Sequence, residues 1–229
     1  MNDNKSIIKG LLVLLLYFIL SCCTLLPLYL FKININSLNT ITKYIYLLFY
    51  DLFSLSIIFL IFKNEIIDNF KNFKVKDFFE KYFSYWFLLL FLMFISNILI
   101  QFIYPNSSSS NEDNFRIAFS LAPIYYFIKA SLFAPIMEEL VFRMSIRKIF
   151  KNKYLFIILS GLIFGLLHII GNISNNYDYL YLLPYCLPGF VLAYVYYKSD
   201  NILNSIFIHF IHNTILLIIQ MVMLWEKKL

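Results

Sequence analysis

The stretch SYWFLLLFLMFISNILIQFIY, residues 84–104, decides the fold class. It contains no Asp, Glu, Lys or Arg. As a helix rising about 1.5 Å per residue, it is about as long as the roughly 30 Å hydrocarbon core of a bilayer is thick. Six more segments share this character, at about 10–31, 42–62, 117–142, 154–171, 179–197 and 202–225. The chain therefore reads as all-α, a polytopic transmembrane helical bundle with about seven spanning helices. Composition agrees. Of 229 residues, 61% are hydrophobic and 14% charged, against roughly 25% charged in soluble domains. A soluble enzyme, a disordered chain and a nucleic-acid partner are excluded on that ground. The net charge of +6 follows from the positive-inside bias of membrane proteins.

Between the spans, residues 63–81 mix Lys71, Lys74, Lys76 and Lys81 with Asp68, Asp77, Glu80 and four phenylalanines. This reads either as an interfacial amphipathic helix or as a solvated loop. Residues 105–114, with Ser107 to Ser110, read as a flexible polar loop. If the N-terminus and loops 63–83, 143–153 and 198–201 share one side, thirteen of the nineteen Lys and Arg lie there. Lys32, Lys43, Arg116, Lys227 and Lys228 fall on the other side, and Lys129 within a span. The N-terminus is therefore expected in the cytoplasm. Lys5 and Lys9 precede an apolar run that passes Ser21 and Cys22 and continues to Phe31. That is too long for a signal-peptide core, so a retained helix is expected. Cys22, Cys23 and Cys186 are odd in number and show no CxxC spacing, which argues against a disulfide framework or a zinc ribbon. Abundant Asn, Ile, Lys, Tyr and Phe fit an AT-rich genome, hence a bacterium and its plasma membrane.

Ionisable groups at bilayer depth are costly and mark function by default. Glu138, Glu139, Asp51 and all three histidines fall in apolar spans. In APIMEELVFR, residues 134–143, Glu139 and Arg143 stand four apart and can pair on one helix face. Glu138 is rotated from Glu139 by about 100° and has no local cation. Ala134 and Ser131 on its face leave room for a cavity, and Pro135 frees the carbonyl of Ser131. In SGLIFGLLH, residues 160–168, Gly161 and Gly165 allow close helix approach. His168 projects within about 20° of Gly161, into the bundle. In SIFIHFIHN, residues 205–213, His209 and Asn213 share a face, with His212 about 60° away. Taken singly, each could be a polar packing seam. Depth along the helices puts Glu138 and His209 each about 14 Å below the inner boundary and His168 about 22 Å. One acid and two imidazoles from three helices are thus expected to meet.

Glu138-Glu139-x-x-x-Arg143, Phe164-x-x-x-His168 and His209-x-x-x-Asn213, in that order, resemble the CPBP (Abi, CAAX prenyl protease 2-like) family of intramembrane proteases. The resemblance covers roughly residues 115–225. It implies a core over 111–229 and a divergent transmembrane part with an amphipathic cytosolic loop over 1–110. It further implies that Glu138 is the activating carboxylate, that Glu139, Arg143 and Phe164 support it, and that His168, His209 and Asn213 complete the site. The chemistry is coherent: a partly dry carboxylate suits a general base, His168 can hold the water, and His209 with the Asn213 amide can face an oxyanion. No cofactor is favoured. Zinc on Glu138, His168 and His209 is the alternative, although no His-Glu-x-x-His is present.

The function expected is therefore an intramembrane endopeptidase whose peptide or protein substrate enters from the membrane or cytosolic side, with a bacterial role in bacteriocin processing or self-immunity. The alternative is a non-catalytic membrane immunity or scaffold protein of the same fold. A transporter with Glu138 and the histidines as proton relay is a third reading, against which no inverted repeat is visible.

Overall fold

The structure, a computed structural model, describes residues 2–226. Lys227 and Lys228, counted above for topology, lie outside the described residues. The main helices are α1 (Asn2–Cys22), α2 (Thr40–Ile61), α3 (Lys63–Asn72), α4 (Ser84–Ile103), α5 (Ser110–Leu121), α6 (123–149), α7 (Lys153–Ile169), α8 (Leu182–Ser199) and α9 (Ile202–Glu226). No strand occurs among the described residues. The protein is an integral membrane helical bundle.

Five segments are long and apolar enough to cross a bilayer: Asn4–Cys22, Thr40–Ile61, Ser84–Ile103, Asn176–Ser199 and Ile202–Glu226. Two of the seven expected segments, 117–142 and 154–171, fall short of that length or apolarity. α7 is apolar but has only 17 residues. α6 carries Lys129, Glu138, Glu139, Arg143, Arg147 and Lys148. The helix expected over 117–142 in fact breaks at Ala122, whose backbone leaves the helical region. Pro123 then starts α6, its fixed φ and missing N–H suiting a first turn. The first span stops at Cys22, and a short helix, Leu26–Leu30, follows with Pro27 in its first turn.

Two polar inserts are more ordered than the sequence implied. Of the two readings for 63–81, the helix holds: α3 buries Ile66, and Phe78 is buried in the π-turn that follows. Phe70 and Phe79 face outward, as an interfacial segment requires. The loop expected over 105–114 ends early, because Ser109 caps α5 by accepting from the Glu112 N–H at 3.1 Å. Asp178 locks that end of the bundle by accepting from the Ser110 N–H and Oγ, each at 2.9 Å, and from the N–H groups of Ser174 and Asn175.

α2 and α4 present Phe49, Leu60, Phe91, Phe94 and Phe102 outward, the pattern of a lipid-facing surface. Inside, Ile58, Phe62, Leu140, Phe142, Phe156 and Phe164 pack as one core joining α2, α6 and α7. α7 and α8 lie closest together. A Cβ built on Gly161 would stand 2.9 Å from the backbone N of Phe190, and one on Gly165 would stand 2.9 Å from that of Cys186. Backbone cannot swing aside as a side chain can. Gly161→Ala or Gly165→Ala should therefore force the helices apart, at a cost of about 1–3 kcal/mol. The check is a lower melting temperature in detergent, and an unchanged one contradicts the packing described.

At the other end, Lys9 of α1 and Lys148 of α6 both reach Glu65 of α3, at 2.6 and 2.7 Å. Burial alone would raise the Glu65 pKa, but hydrogen bonds from Lys148 and Lys9 outweigh it and hold the group at about 2, against 4.5 unperturbed. The folded value lies below the unfolded one. The stabilisation is therefore complete above pH 4.5 and fades as pH falls toward 2. Melting curves across that window should show a shallower acid loss for Glu65→Gln than for wild type. Parallel curves would remove Glu65 from the account.

Candidate active site

α6 widens twice into π-helical turns, at Lys129–Phe133 and Glu139–Ser145. Such turns leave backbone carbonyls out of the regular ladder and recur at functional sites. Side chains from neighbouring helices take them up. Ser160 of α7 donates to the carbonyl of Phe142 at 2.6 Å. In the first turn the Ala134 N–H donates to the carbonyl of Lys129. The next bond in that register would run from residue 135 to Ala130, but Pro135 has no N–H. The Asn213 side-chain amide fills the gap, donating to the carbonyl of Ala130 at 2.9 Å. Asn213 thus fastens α9 to α6.

Glu138 and Glu139 bracket one imidazole. The His209 Nδ1–H donates to Glu139 Oε1 at 2.9 Å, and His209 Nε2 lies 3.7 Å from Glu138 Oε2. Glu139 and Arg143 are both fully buried and paired at 3.1 Å, as their four-residue spacing predicts. Glu139 does more than the sequence indicated, since it also orients His209. The Arg143 guanidinium sits 4.4 Å over the Phe164 ring and donates to the carbonyl of Gly189 at 3.5 Å. An aromatic face and a carbonyl stand in for water around a buried cation. Glu139 Oε2 and Arg143 Nε and Nη1 make no hydrogen bond among the described residues, so Nη1 meets Glu139 through charge alone.

Glu138 is the accessible member, its side chain 18% exposed. It borders a cavity of about 270 Å³ between α1, α2 and α6. The two carboxylates therefore differ in environment: Glu139 is locked in ion pairs, whereas Glu138 is free on its cavity side.

His168 is placed differently from the expectation. Its Nδ1–H donates to the carbonyl of Phe164 at 2.9 Å, because a carbonyl can only accept. Its ring stacks on Tyr185 at 4.9 Å. It makes no hydrogen bond or ion pair with Glu138 or Glu139. What it shares with the site is the Phe164 ring, whose centroid is 4.5 Å from that of His168 and 5.9 Å from that of His209. The three-way meeting of Glu138, His168 and His209 is realised as a Glu138–His209 pair with His168 behind Phe164. Among the described residues, no group of three or more His, Cys, Asp and Glu side chains is arranged to hold a metal ion. His212 is buried, and its Nδ1 has no hydrogen-bond partner.

Asp51 and Lys129 are two further ionisable residues in apolar helices. They pair at 3.2 Å, and the Tyr125 hydroxyl donates to Asp51 at 3.0 Å. The available signal was two opposite charges in two separate apolar spans.

The fold and this site define a class: a helical integral membrane protein with a carboxylate–imidazole centre buried among short, irregular helices. Residues 120–215 match the family model for Type II CAAX prenyl endopeptidase Rce1-like proteins, a segment that contains Glu138, His168 and His209. Among curated proteins, the chain is 33% identical over 140 residues to UPF0177 protein YvdC of Lactococcus lactis, covering 60% of this chain and 51% of that protein. It is 28% identical over 138 residues to UPF0177 protein YaiF of the same organism, covering 57% and 60%. It is also 28% identical over 138 residues to a Bacillus subtilis protein named "Putative membrane peptidase YdiL", covering 59% and 53%. The chain thus spans about half the length of the curated relatives it matches. No solved structure matches it.

Removing Arg143 leaves Glu139 buried without its cation. Arg143→Met should cost about 3–5 kcal/mol of stability. Arg143→Lys should recover little, since an ammonium cannot at once pair with Glu139, donate to the Gly189 carbonyl and stack on Phe164. Thermal unfolding in detergent checks this, and a stable Arg143→Met protein would show that the pair is dispensable.

Proposed function

We propose that this protein is an intramembrane endopeptidase in which Glu138 activates a water molecule. The observation that carries the reading is the division of labour between adjacent carboxylates. Glu139 is spent on Arg143 and His209, whereas Glu138 faces a cavity with one oxygen near His209 Nε2. Water held by Glu138 attacks the scissile carbonyl carbon and gives its proton to Glu138. The tetrahedral oxyanion is met by the Nε2–H of a protonated His209, whose other nitrogen is anchored by Glu139. Glu138 then passes the proton to the leaving amine. With His209 protonated, the charges of Glu138, Glu139, Arg143 and His209 sum to zero, the cheapest state for a group in lipid. Asn213 and His168 act at one remove, Asn213 by fixing α9 to α6 and His168 by supporting the Phe164 wall.

The reading needs no cofactor. The lysine-rich end of the bundle, where Lys9 and Lys148 meet Glu65 of α3, lies in the cytoplasm with the N-terminus, in a bacterial plasma membrane. A peptide or protein reaches Glu138 from the membrane or from that side. A role in bacteriocin processing or self-immunity is compatible with such a substrate.

The purified protein, incubated with a pool of internally quenched apolar peptides in detergent, should cleave members of the pool. Glu138→Gln should lose about 10²–10⁴-fold in rate, the usual share of a general base. A chelator should leave the rate unchanged. Undiminished cleavage by Glu138→Gln ends this proposal, and chelator inhibition ends its metal-free form. In an immunity assay, protection by Glu138→Gln equal to wild type would assign the protein to the non-catalytic alternative.

A further inference from the structure

We infer that the cavity on the α1–α2 side of Glu138 is a subsite for the peptide backbone next to the scissile bond, with Lys129 and Ser54 as its hydrogen-bonding groups. The inference rests on Glu138 as general base and adds where the substrate lies. The cavity is bounded by Glu138 and Lys129 of α6 and by Asp51 and Ser54 of α2, with α1 closing the third side. Its volume of about 270 Å³ falls just below the roughly 300 Å³ at which small-molecule sites begin. That accommodates a short length of extended chain and no folded partner.

The wall chemistry selects the occupant. The Lys129 ammonium has three N–H groups. One faces Asp51 Oδ1 and one faces the Tyr125 hydroxyl, each at 3.2 Å, which leaves the third unspent. Asp51 cancels the Lys129 charge, so the remaining donor suits a neutral carbonyl better than an anion. Glu138, on the same wall, repels phosphate and carboxylate groups, which disfavours a lipid headgroup. Ser54 is 93% buried by its 7% exposure, and its hydroxyl has no hydrogen-bond partner. A hydroxyl both donates and accepts, matching the alternating C=O and N–H of a backbone. Leu20, Leu55 and Met137 supply the apolar remainder for a side chain. Asp51, Ser54 and Leu20 lie outside the segment 120–215 that matches the family model. The choice of substrate is thus written in the N-terminal helices.

Two measurements test this. In a Cys22→Ala/Cys23→Ala background, Ser54→Cys is reacted with a small cationic methanethiosulfonate reagent, with the buried Cys186 as internal reference. Ser54→Cys should react several-fold faster than Cys186, and the quenched apolar peptide pool should slow that reaction several-fold. A rate no faster than that of Cys186, or one indifferent to peptide, overturns the subsite. Protection without any cleavage by the Glu138-intact protein instead overturns the peptidase reading and leaves the subsite standing. In turnover, the charge-neutral double variant Asp51→Asn/Lys129→Gln should raise KM about three- to tenfold, the cost of one lost neutral hydrogen bond, with kcat nearly unchanged. A fall in kcat at constant KM would contradict the assignment.

Discussion

Two carboxylates, a guanidinium and an imidazole must share one point from which water is largely excluded. The other features of the bundle answer that constraint. A buried pair is stable only when its remaining donors and acceptors are also met. Glu139 is met by Arg143 and His209, and Arg143 in turn by the Phe164 ring and the Gly189 carbonyl. The close approach of α7 to α8 at Gly161 and Gly165 brings that ring and that carbonyl together. A Cβ on Gly189 would lie 2.8 Å from the Gly161 Cα, so Phe164 and Gly189 come from the same tight contact. The glycines of α7 and α8 therefore serve the ion network as much as they serve helix packing.

The irregularity of α6 has the same origin. A regular helix this rich in charge would neither span lipid nor expose backbone for neighbours to hold. The π-turns leave carbonyls that Ser160 and Asn213 take up, and these bonds tie α7 and α9 to the rod. The N-terminal helices are part of the same structure. α1 meets α6 where a Cβ on Gly10 would stand 2.6 Å from the Ser145 carbonyl, and α2 supplies Asp51 to Lys129. The lysine-rich end fixes α1, α3 and α6 through one carboxylate, Glu65.

Much of this was legible from residue order. The lack of charge over 84–104 and the low total charge determine the helical membrane class. The four-residue spacing of Glu139 and Arg143 predicts their pair, and Gly161 with Gly165 predicts the close helix contact. What was not legible has identifiable causes. Wheel projections assume a regular α-helix, so they misplace contacts wherever α6 widens. That is why the partner of Asn213, and the contact of Glu139 with His209, escaped them. Pattern alone could not show that α6 restarts at Pro123. Nor could depth counting show that His168 turns to Phe164 and Tyr185, since depth carries no direction around the helix. Asp51 and Lys129 are visible as anomalies in the sequence, but only the tertiary fold makes them a pair.

The account depends on Glu138 being the wet carboxylate and Glu139 the dry one. An experimental structure with ordered solvent, of the protein in a lipidic phase, tests this most directly. The account predicts a water molecule hydrogen-bonded to Glu138 on its cavity side, within reach of His209 Nε2, and no water between Glu139 and Arg143. A Glu138 carboxylate found dry, or bound to a cation of its own while Glu139 carries the water, would contradict it.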